Sequence, residues 1–325
     1  MRTKYVCNET FLFEGEKELA NGLSAEKVLE EVRFSLGKDL WNLLNREDWT
    51  DIDINPDGSV WIDNGKSTRV ECSFTESGLQ SAAMMLASYS SNKFNSESAQ
   101  SLVAVIPVLD IRCSFIGPPA VNRTIAAFRR PSKELLDPYS LVASGTITQG
   151  QFEYLKDAVD SYRNILISGG TGSGKTTIMN SLMTLIDPED RLYVVQDVDE
   201  LRFSQDNLVK IKVNDKFEYD KAIAEALRFN PTRVIVGECR FPAQAQSMLE
   251  AWNTGHPGGM ATIHADNAKA VLERVDSLQS KASASGVSQM DVIKETIQVI
   301  VQMKRIHNTR KLVELYDVRE DKYIG

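Results

Sequence analysis

The sequence has no apolar run near the roughly 20 residues that a membrane-spanning helix needs, so no spanning segment is expected. Its start, Met1-Arg2-Thr3-Lys4-Tyr5-Val6-Cys7-Asn8-Glu9-Thr10, lacks an apolar core of signal-peptide length, and acidic residues soon follow. Cysteine is scarce: Cys7, Cys72, Cys113 and Cys239 lie far apart with no C-x-x-C pair. That argues against a zinc site or a disulfide framework and leaves isolated thiols in a reducing, cytoplasmic compartment as the expectation. A basic surplus is missing too. With 37 Lys and Arg against 45 Asp and Glu the net charge is −8, which counts against nucleic-acid binding by bulk charge. Only three histidines occur, and no internal repeat or low-complexity tract is present.

What remains is an ordinary globular composition, 42% hydrophobic and 25% charged, in 325 residues, enough for two domains with separate cores. One stretch stands out: Ser168-Gly169-Gly170-Thr171-Gly172-Ser173-Gly174-Lys175-Thr176-Thr177. Before it, Asn164-Ile165-Leu166-Ile167 reads as a buried parallel strand, and after it Ile178 to Met183 carries helical spacing. Strand, glycine-rich turn and helix form the setting that G-x-x-x-x-G-K-[ST] requires. The glycines let successive N–H groups curl around a phosphate at the positive end of the helix dipole. Lys175 is expected to neutralise the β- and γ-phosphates and the Thr176 hydroxyl to hold Mg²⁺. Gly170, Thr171, Gly172, Ser173, Gly174 and Thr177 complete the expected cradle. A merely flexible glycine loop would not need both flanks.

Around this stretch the chain divides. Residues 24–46 hold two helical patterns with Ser24 as N-cap, and Asp51–Asp63 alternates across an Asn-Pro-Asp-Gly turn as a hairpin. A strand over 67–74, a helix over 76–91 and strands near 102–106, 110–115 and 123–129 complete an α+β domain over 1–130. Proline and glycine punctuate a linker over 131–148. From Gln149 onward helices and strands alternate. Strands are expected at 191–196, 208–213, 233–237 and 259–264, and helices at 149–163, 218–229, 241–252, 266–279 and 288–299. The expectation for 149–325 is an α/β domain with a mainly parallel sheet, extended by antiparallel strands at 298–306 and 311–318.

Three further candidates share a position at or near strand ends, where open α/β sheets place their ligand crevice. Glu238 ends the apolar run Arg233-Val234-Ile235-Val236-Gly237 and is placed to orient or deprotonate water. Asp197 and Glu200 follow Val194-Val195-Gln196, and either Asp197 or Glu200 is suited to hold a metal-bound water, although a polar turn would look similar. His264 ends Met260-Ala261-Thr262-Ile263 and is suited to donate to a γ-phosphate oxygen, whereas His256 and His264 alone are weak support for a metal. Asn92-Lys93-Phe94-Asn95 lacks the aspartate of an N-K-x-D base-reading motif, which counts against a GTPase. The basic run Lys304–Lys311 reads first as a solvated hairpin turn and second as a local basic patch.

Together GGTGSGKTT (169–177), RFNPTRVIVGECR (228–240) and AWNTGHPGGMATIHA (251–265) resemble the type IV and type II secretion ATPase superfamily, most nearly its conjugal-transfer TrbB type. DIDINPDGSVWID (51–63), IPVLDIRCSFIGPP (106–119) and FRRPSK (128–133) extend the resemblance over most of the chain. It implies a RecA-like P-loop domain behind a smaller α+β N-terminal domain, a homohexamer, and hydrolysis of ATP with Mg²⁺. By position, 169–177 matches the Walker A loop, Glu238 the Walker B glutamate, Asp197 and Glu200 the Asp box, and His256 and His264 the His box. Arg112 and Arg129 match arginines that the N-terminal domain lends to the phosphates, with Arg123 and Arg130 as nearby substitutes. Arg240 matches a motif arginine whose partner is expected across a subunit boundary. The chain departs from the family at Gln196, where a carboxylate is usual, and at Cys239, where an aliphatic residue is common.

The implied function is a motor for a type IV secretion or conjugation apparatus, working with inner-membrane channel proteins and a coupling ATPase. Its implied location is cytoplasmic, with any membrane attachment peripheral at the inner-membrane face. A pilus-retraction or type II secretion motor is the sister alternative. A slow, nucleotide-gated assembly scaffold is the alternative that Gln196 motivates.

Overall fold

Gly37 marks the first break in the helical pattern. In the computed structural model, which describes residues 24–90, 92–94, 100–130, 136–197, 200–213, 218–282, 287–307 and 309–325, helix α1 (Ala25–Leu44) bends there. Gly37 sits at φ 78° and ψ 167°, so the two helical patterns are two segments joined at a kink. The Ser24 side chain caps the first by accepting from the Lys27 N–H. The chain separates into two units, Met1–Ser132 and Lys133–Gly325.

The first unit continues with β1 (Asp51–Ile54), β2 (Val60–Asp63), β3 (Ser67–Val70), α2 (Glu76–Tyr89), β4 (Ser101–Ile106), β5 (Ile111–Ile116) and β6 (Ile125–Arg129). These strands make an antiparallel sheet in the order β3-β2-β1-β6-β5-β4. Period-two alternation buries one face: Ile52, Ile54, Leu102, Cys113, Phe115 and Phe128 pack against Val32, Leu36 and Leu40 of α1 and Leu86 of α2. The opposite face keeps its charged residues. Arg112 of β5 and Arg129 of β6 are register partners and therefore stand side by side on it.

The second unit begins inside the stretch expected to be linker. Helix α3 (Pro138–Ala143), capped by Asp137, buries Leu141 and packs with Ile147 against Phe152 and Leu155 of α4 (Gln149–Asp160). The proline that suggested a break instead sits at the helix N-terminus, where its missing N–H costs nothing. There follow β7 (Ile165–Gly169), α5 (Lys175–Met183), β8 (Leu192–Gln196), β9 (Leu208–Lys212), α6 (Tyr219–Ala226), β10 (Arg233–Cys239) and α7 (Pro242–Asn253). The unit closes with β11 (Met260–Ile263), α8 (Ala268–Ala282), α9 (Met290–Thr296), β12 (Val299–Ile306), β13 (Thr309–Asp317) and β14 (Lys322–Ile324).

The sheet order is β14-β13-β12-β7-β11-β10-β8-β9. Neighbours from β12 to β9 pair in parallel, and β13 and β14 add antiparallel partners at the β12 edge. Two details differ from the sequence reading. The helix expected over 288–299 stops at Thr296, because Val299, Val301 and Met303 pair with β7 and join its core. β12 itself, expected as an antiparallel extension, runs parallel to β7. Helices cover both faces: α4 and α5 lie over Ile165, Ile167, Val194 and Ile235, while α6, α7 and α8 lie over Leu166, Val195, Val234 and Ala261. Central strands are buried on both sides, which is why they read as unbroken apolar runs. Among the described residues no helix is long and apolar enough to cross a membrane.

Candidate nucleotide site

Parallel pairing brings the C-terminal ends of β7, β11, β10 and β8 to one edge of the sheet. The glycine-rich loop leaves β7 there. Gly169 sits at φ +150°, and a Cβ on it would meet the Met303 carbonyl oxygen at 2.3 Å, so only glycine lets β7 turn beside β12. Ser173 is buried, and its Oγ has no hydrogen-bond partner among the described residues. Lys175 is largely buried at the first turn of α5. Its Nζ donates to the carbonyls of Gly169 at 2.9 Å and Gly170 at 3.0 Å. Burial pulls its pKa down, opposed by Glu238 and Glu200 and aided by Arg240. An ammonium desolvated in this way gains strongly from an incoming phosphate.

β10 and β11 bring the next two residues. Val236 pairs with Ala261 but Cys239 with Ile263, so an extra residue of β10 bulges at Gly237-Glu238. Such bulges re-aim a side chain. The Thr262 hydroxyl fixes this one by donating to the Gly237 carbonyl at 2.7 Å. Glu238 Oε1, buried and without a well-aligned hydrogen bond among the described residues, lies 2.9 Å from His264 Nε2. The same His264 nitrogen lies 3.4 Å from Lys175 Nζ. Arg240 donates through Nη2 to Glu238 and through Nη1 to Asp197 Oδ2 at 3.3 Å. The partners of this arginine therefore include two groups of its own chain. Burial pushes the Glu238 pKa up, but the Arg240 hydrogen bond and the charges of Arg240, His264 and Lys175 outweigh it, leaving the carboxyl below its ordinary value. His264 also titrates below 6.5, through burial and then the Lys175 charge, despite the opposing pull of Glu238.

β8 ends beside β10. Gln196 is buried, and its Oε1 accepts from the Leu201 N–H at 3.2 Å, holding the start of the next segment. Asp197 receives the Tyr219 hydroxyl at 3.3 Å, a partner that no local sequence signal announced. Glu200 approaches the loop: Thr176 Oγ1 donates to its carboxylate at 3.4 Å, and Asn180 of α5 donates to its carbonyl at 3.0 Å. Asp199, the other acidic residue of this box, falls outside the described residues. Burial raises the Cys239 thiol to about 12, so it behaves as a small apolar filler.

Not every candidate converges. His256 Nδ1 lies 2.9 Å from the Pro231 carbonyl, ahead of both β10 and β11 and so at the opposite edge of the sheet from His264. Arg112 and Arg129 belong to the other unit, where Arg129 Nε pairs with Asp51 at 2.7 Å. Of the substitutes, Arg123 is tied to Glu76 at 3.2 Å, and Arg130 donates to the Leu44 and Arg46 carbonyls with its guanidinium 4.6 Å from the Trp49 ring. Lys304–Lys311 forms the β12–β13 hairpin.

The Thr176 hydroxyl and the Glu200 carboxylate offer the hard oxygen donors that suit Mg²⁺. Among the described residues no three His, Cys, Asp or Glu side chains gather as a metal cage. Those two donors suit the common mode in which phosphates and water supply most Mg²⁺ ligands. Beside His264 a cleft of about 420 Å³ opens, lined by Gly169, Gly170, Ala265, Asp266 and Arg274 among others.

Comparison with known proteins adds four findings. Residues 96–318 match the family model described as type II/IV secretion system protein. The conjugal transfer protein TrbB of Rhizobium radiobacter is 31% identical over 299 residues, covering 91% of each chain. The crystal structure of the ATPase DotB from Yersinia pseudotuberculosis superposes with a TM-score of 0.59 at 17% identity, over 87% of this chain and 81% of that one. The pilus retraction motor PilT, solved with ADP, superposes at 0.57 with 18% identity, over 79% of this chain and 74% of that one. At these identities the two structures speak for the fold alone.

Proposed function

This chain belongs to the type II/IV secretion system protein family, whose members are ATPases, and on that premise we propose that it is a hexameric, RecA-like, Mg²⁺-dependent motor of a type IV secretion or conjugation system. The observation that carries the chemistry is the convergence of Lys175, His264 and Glu238 from three adjacent strand ends, at 3.4 and 2.9 Å. Conjugation is favoured over pilus retraction because the conjugal relative covers 91% of the chain in sequence, whereas the retraction motor matches in fold only.

In this reading Gly170 to Thr177 cradle the phosphates of ATP with backbone N–H groups, and Lys175 leaves its loop carbonyls for the β- and γ-phosphates. Thr176, with Glu200 behind it, would hold Mg²⁺, which when bound offsets phosphate charge. Glu238 accepts a hydrogen bond from the attacking water. Its lowered pKa makes it a weak proton acceptor, so its main work is orienting water in line with the γ-phosphorus. His264 donates to a γ-phosphate oxygen and registers its departure. Asp197, held by Arg240 and Tyr219, keeps Arg240 on Glu238. Arg112 and Arg129 are assigned to phosphate neutralisation by the N-terminal unit, which would couple nucleotide state to domain position. The expected partners are inner-membrane channel proteins and a coupling ATPase, with peripheral docking at the inner-membrane face.

Gln196 gives the scaffold reading its one specific support, since a neutral amide stands in the Asp box. Phosphate release and sedimentation, each measured with Mg-ATP, separate the two. The motor reading expects steady turnover together with a ring-sized assembly. Assembly with phosphate release at background would overturn it in favour of the scaffold.

The pH dependence follows from His264. Its pKa lies below 6.5, so it is neutral at neutral pH and gains a proton only as pH falls through the region under 6.5. That proton adds a charge beside Lys175 and pulls the Glu238 carboxylate away from water. Turnover should therefore hold from about pH 8 to 6.5 and decline below. A rate–pH profile of His264→Asn should lose this acid limb; an unchanged limb would assign the titration elsewhere.

A further inference from the structure

The basic hairpin left over from the sequence reading touches the phosphate loop. β12 lies beside β7, with Met303 opposite Gly169, and then runs on past the strand end as the arm Lys304–Lys311. From the start of β13, Arg310 reaches back. Its Nε donates to the Gly172 carbonyl at 3.2 Å. Its stem lies along Gly174, whose position for a Cβ is 3.0 Å from Arg310 Cδ. Gly174 sits at φ +95°, so its left-handed turn and the arginine stem leave no room for another side chain.

The geometry points to Arg310 as a positioning residue for nucleotide binding, a latch that holds the second half of the phosphate loop in its anion-ready shape. This rests on the reading of residues 169–177 as the ATP site. The Gly172 carbonyl and the Ser173 N–H belong to one peptide unit. A donor on the carbonyl polarises that unit and strengthens its N–H toward phosphate. The Ser173 N–H reaches the Gly170 carbonyl only at 3.3 Å, a long bond that a phosphate oxygen can replace. The latch is carried by a hairpin anchored on the sheet, so it fixes the loop against a rigid element, not another loop.

The decisive feature is a single N–H at the Nε position. Arg310→Gln places an amide N–H at that same distance along the side chain without the charge. Arg310→Met keeps the stem and removes the donor. Binding of a fluorescent ATP analogue, steady-state turnover and melting of the nucleotide-free protein are to be measured on the full chain. Wild type and Lys175→Ala serve as references. Arg310→Met is expected to weaken analogue binding and raise KM by about tenfold, with a much smaller change in kcat and an unchanged melting temperature. Arg310→Gln should recover most of that loss. Equal affinity in Arg310→Met and wild type would overturn the latch. A loss in Arg310→Gln as large as in Arg310→Met would also overturn it, since charge and not the donor would then matter. A matching drop in melting temperature would overturn it as well, by placing the residue in hairpin stability. A wild-type protein that binds no ATP analogue fails differently: it removes the ATP site itself.

Discussion

Replacing Lys175 with alanine should lower ATP turnover by about 10²- to 10³-fold, the usual cost of removing one preorganised donor from a transition-state charge. The reason is visible in the geometry of the loop. The ammonium is largely buried, spends its hydrogen bonds on the Gly169 and Gly170 carbonyls, and has its pKa pulled down by burial. A group in that condition is poised to exchange weak dipoles for phosphate oxygens, and the gain grows as charge develops on the γ-phosphate. Methylene-deep packing elsewhere in α5 is untouched, so melting should change little. Phosphate release and thermal unfolding check the two halves together. Near-native turnover in a folded Lys175→Ala protein would sink the assignment of the loop as the catalytic phosphate site.

Glu238→Gln should reduce turnover by about a hundredfold or more while retaining ATP binding. The substitution keeps length and shape. Arg240 donates to one carboxylate oxygen, so the amide oxygen must face Arg240 and the NH₂ must face His264 and the water. An acceptor becomes a donor at the one place where water needs an acceptor. The variant should therefore hold ATP without consuming it, a state that binding and single-turnover assays distinguish from simple loss of affinity. If Glu238→Gln turned over at the wild-type rate, Asp197 or Glu200 would have to carry the role instead. The lowered pKa of Glu238 points to the modest end of general-base effects, since a weak base gains little from proton transfer and most from geometry.

These two predictions rest on residues that local sequence marked clearly. The Lys175 motif needs only a strand before it and a helix after it, and both are short-range patterns. Glu238 and His264 were legible because an apolar run ending in a polar residue is itself a signal in a parallel sheet. The bulge at Gly237-Glu238 was not legible, since it depends on how β10 and β11 register against each other. Nor was the position of His256, which seven residues separate from His264 in the chain and the whole length of β11 separates in space. Spacing alone cannot tell the two ends of a strand apart.

The sequence by itself determined the glycine-rich turn between β7 and α5, the two-part organisation and the strand ends that carry Glu238, Asp197 and His264. All of these follow from patterns only a few residues long. The tertiary structure alone decided that Arg240 bridges Asp197 to Glu238, that Tyr219 meets Asp197, that β12 joins β7 in parallel, and that Arg310 reaches Gly172. The physical reason is separation along the chain. Arg310 stands 138 residues from the carbonyl it touches, and only the closing of the sheet brings them together.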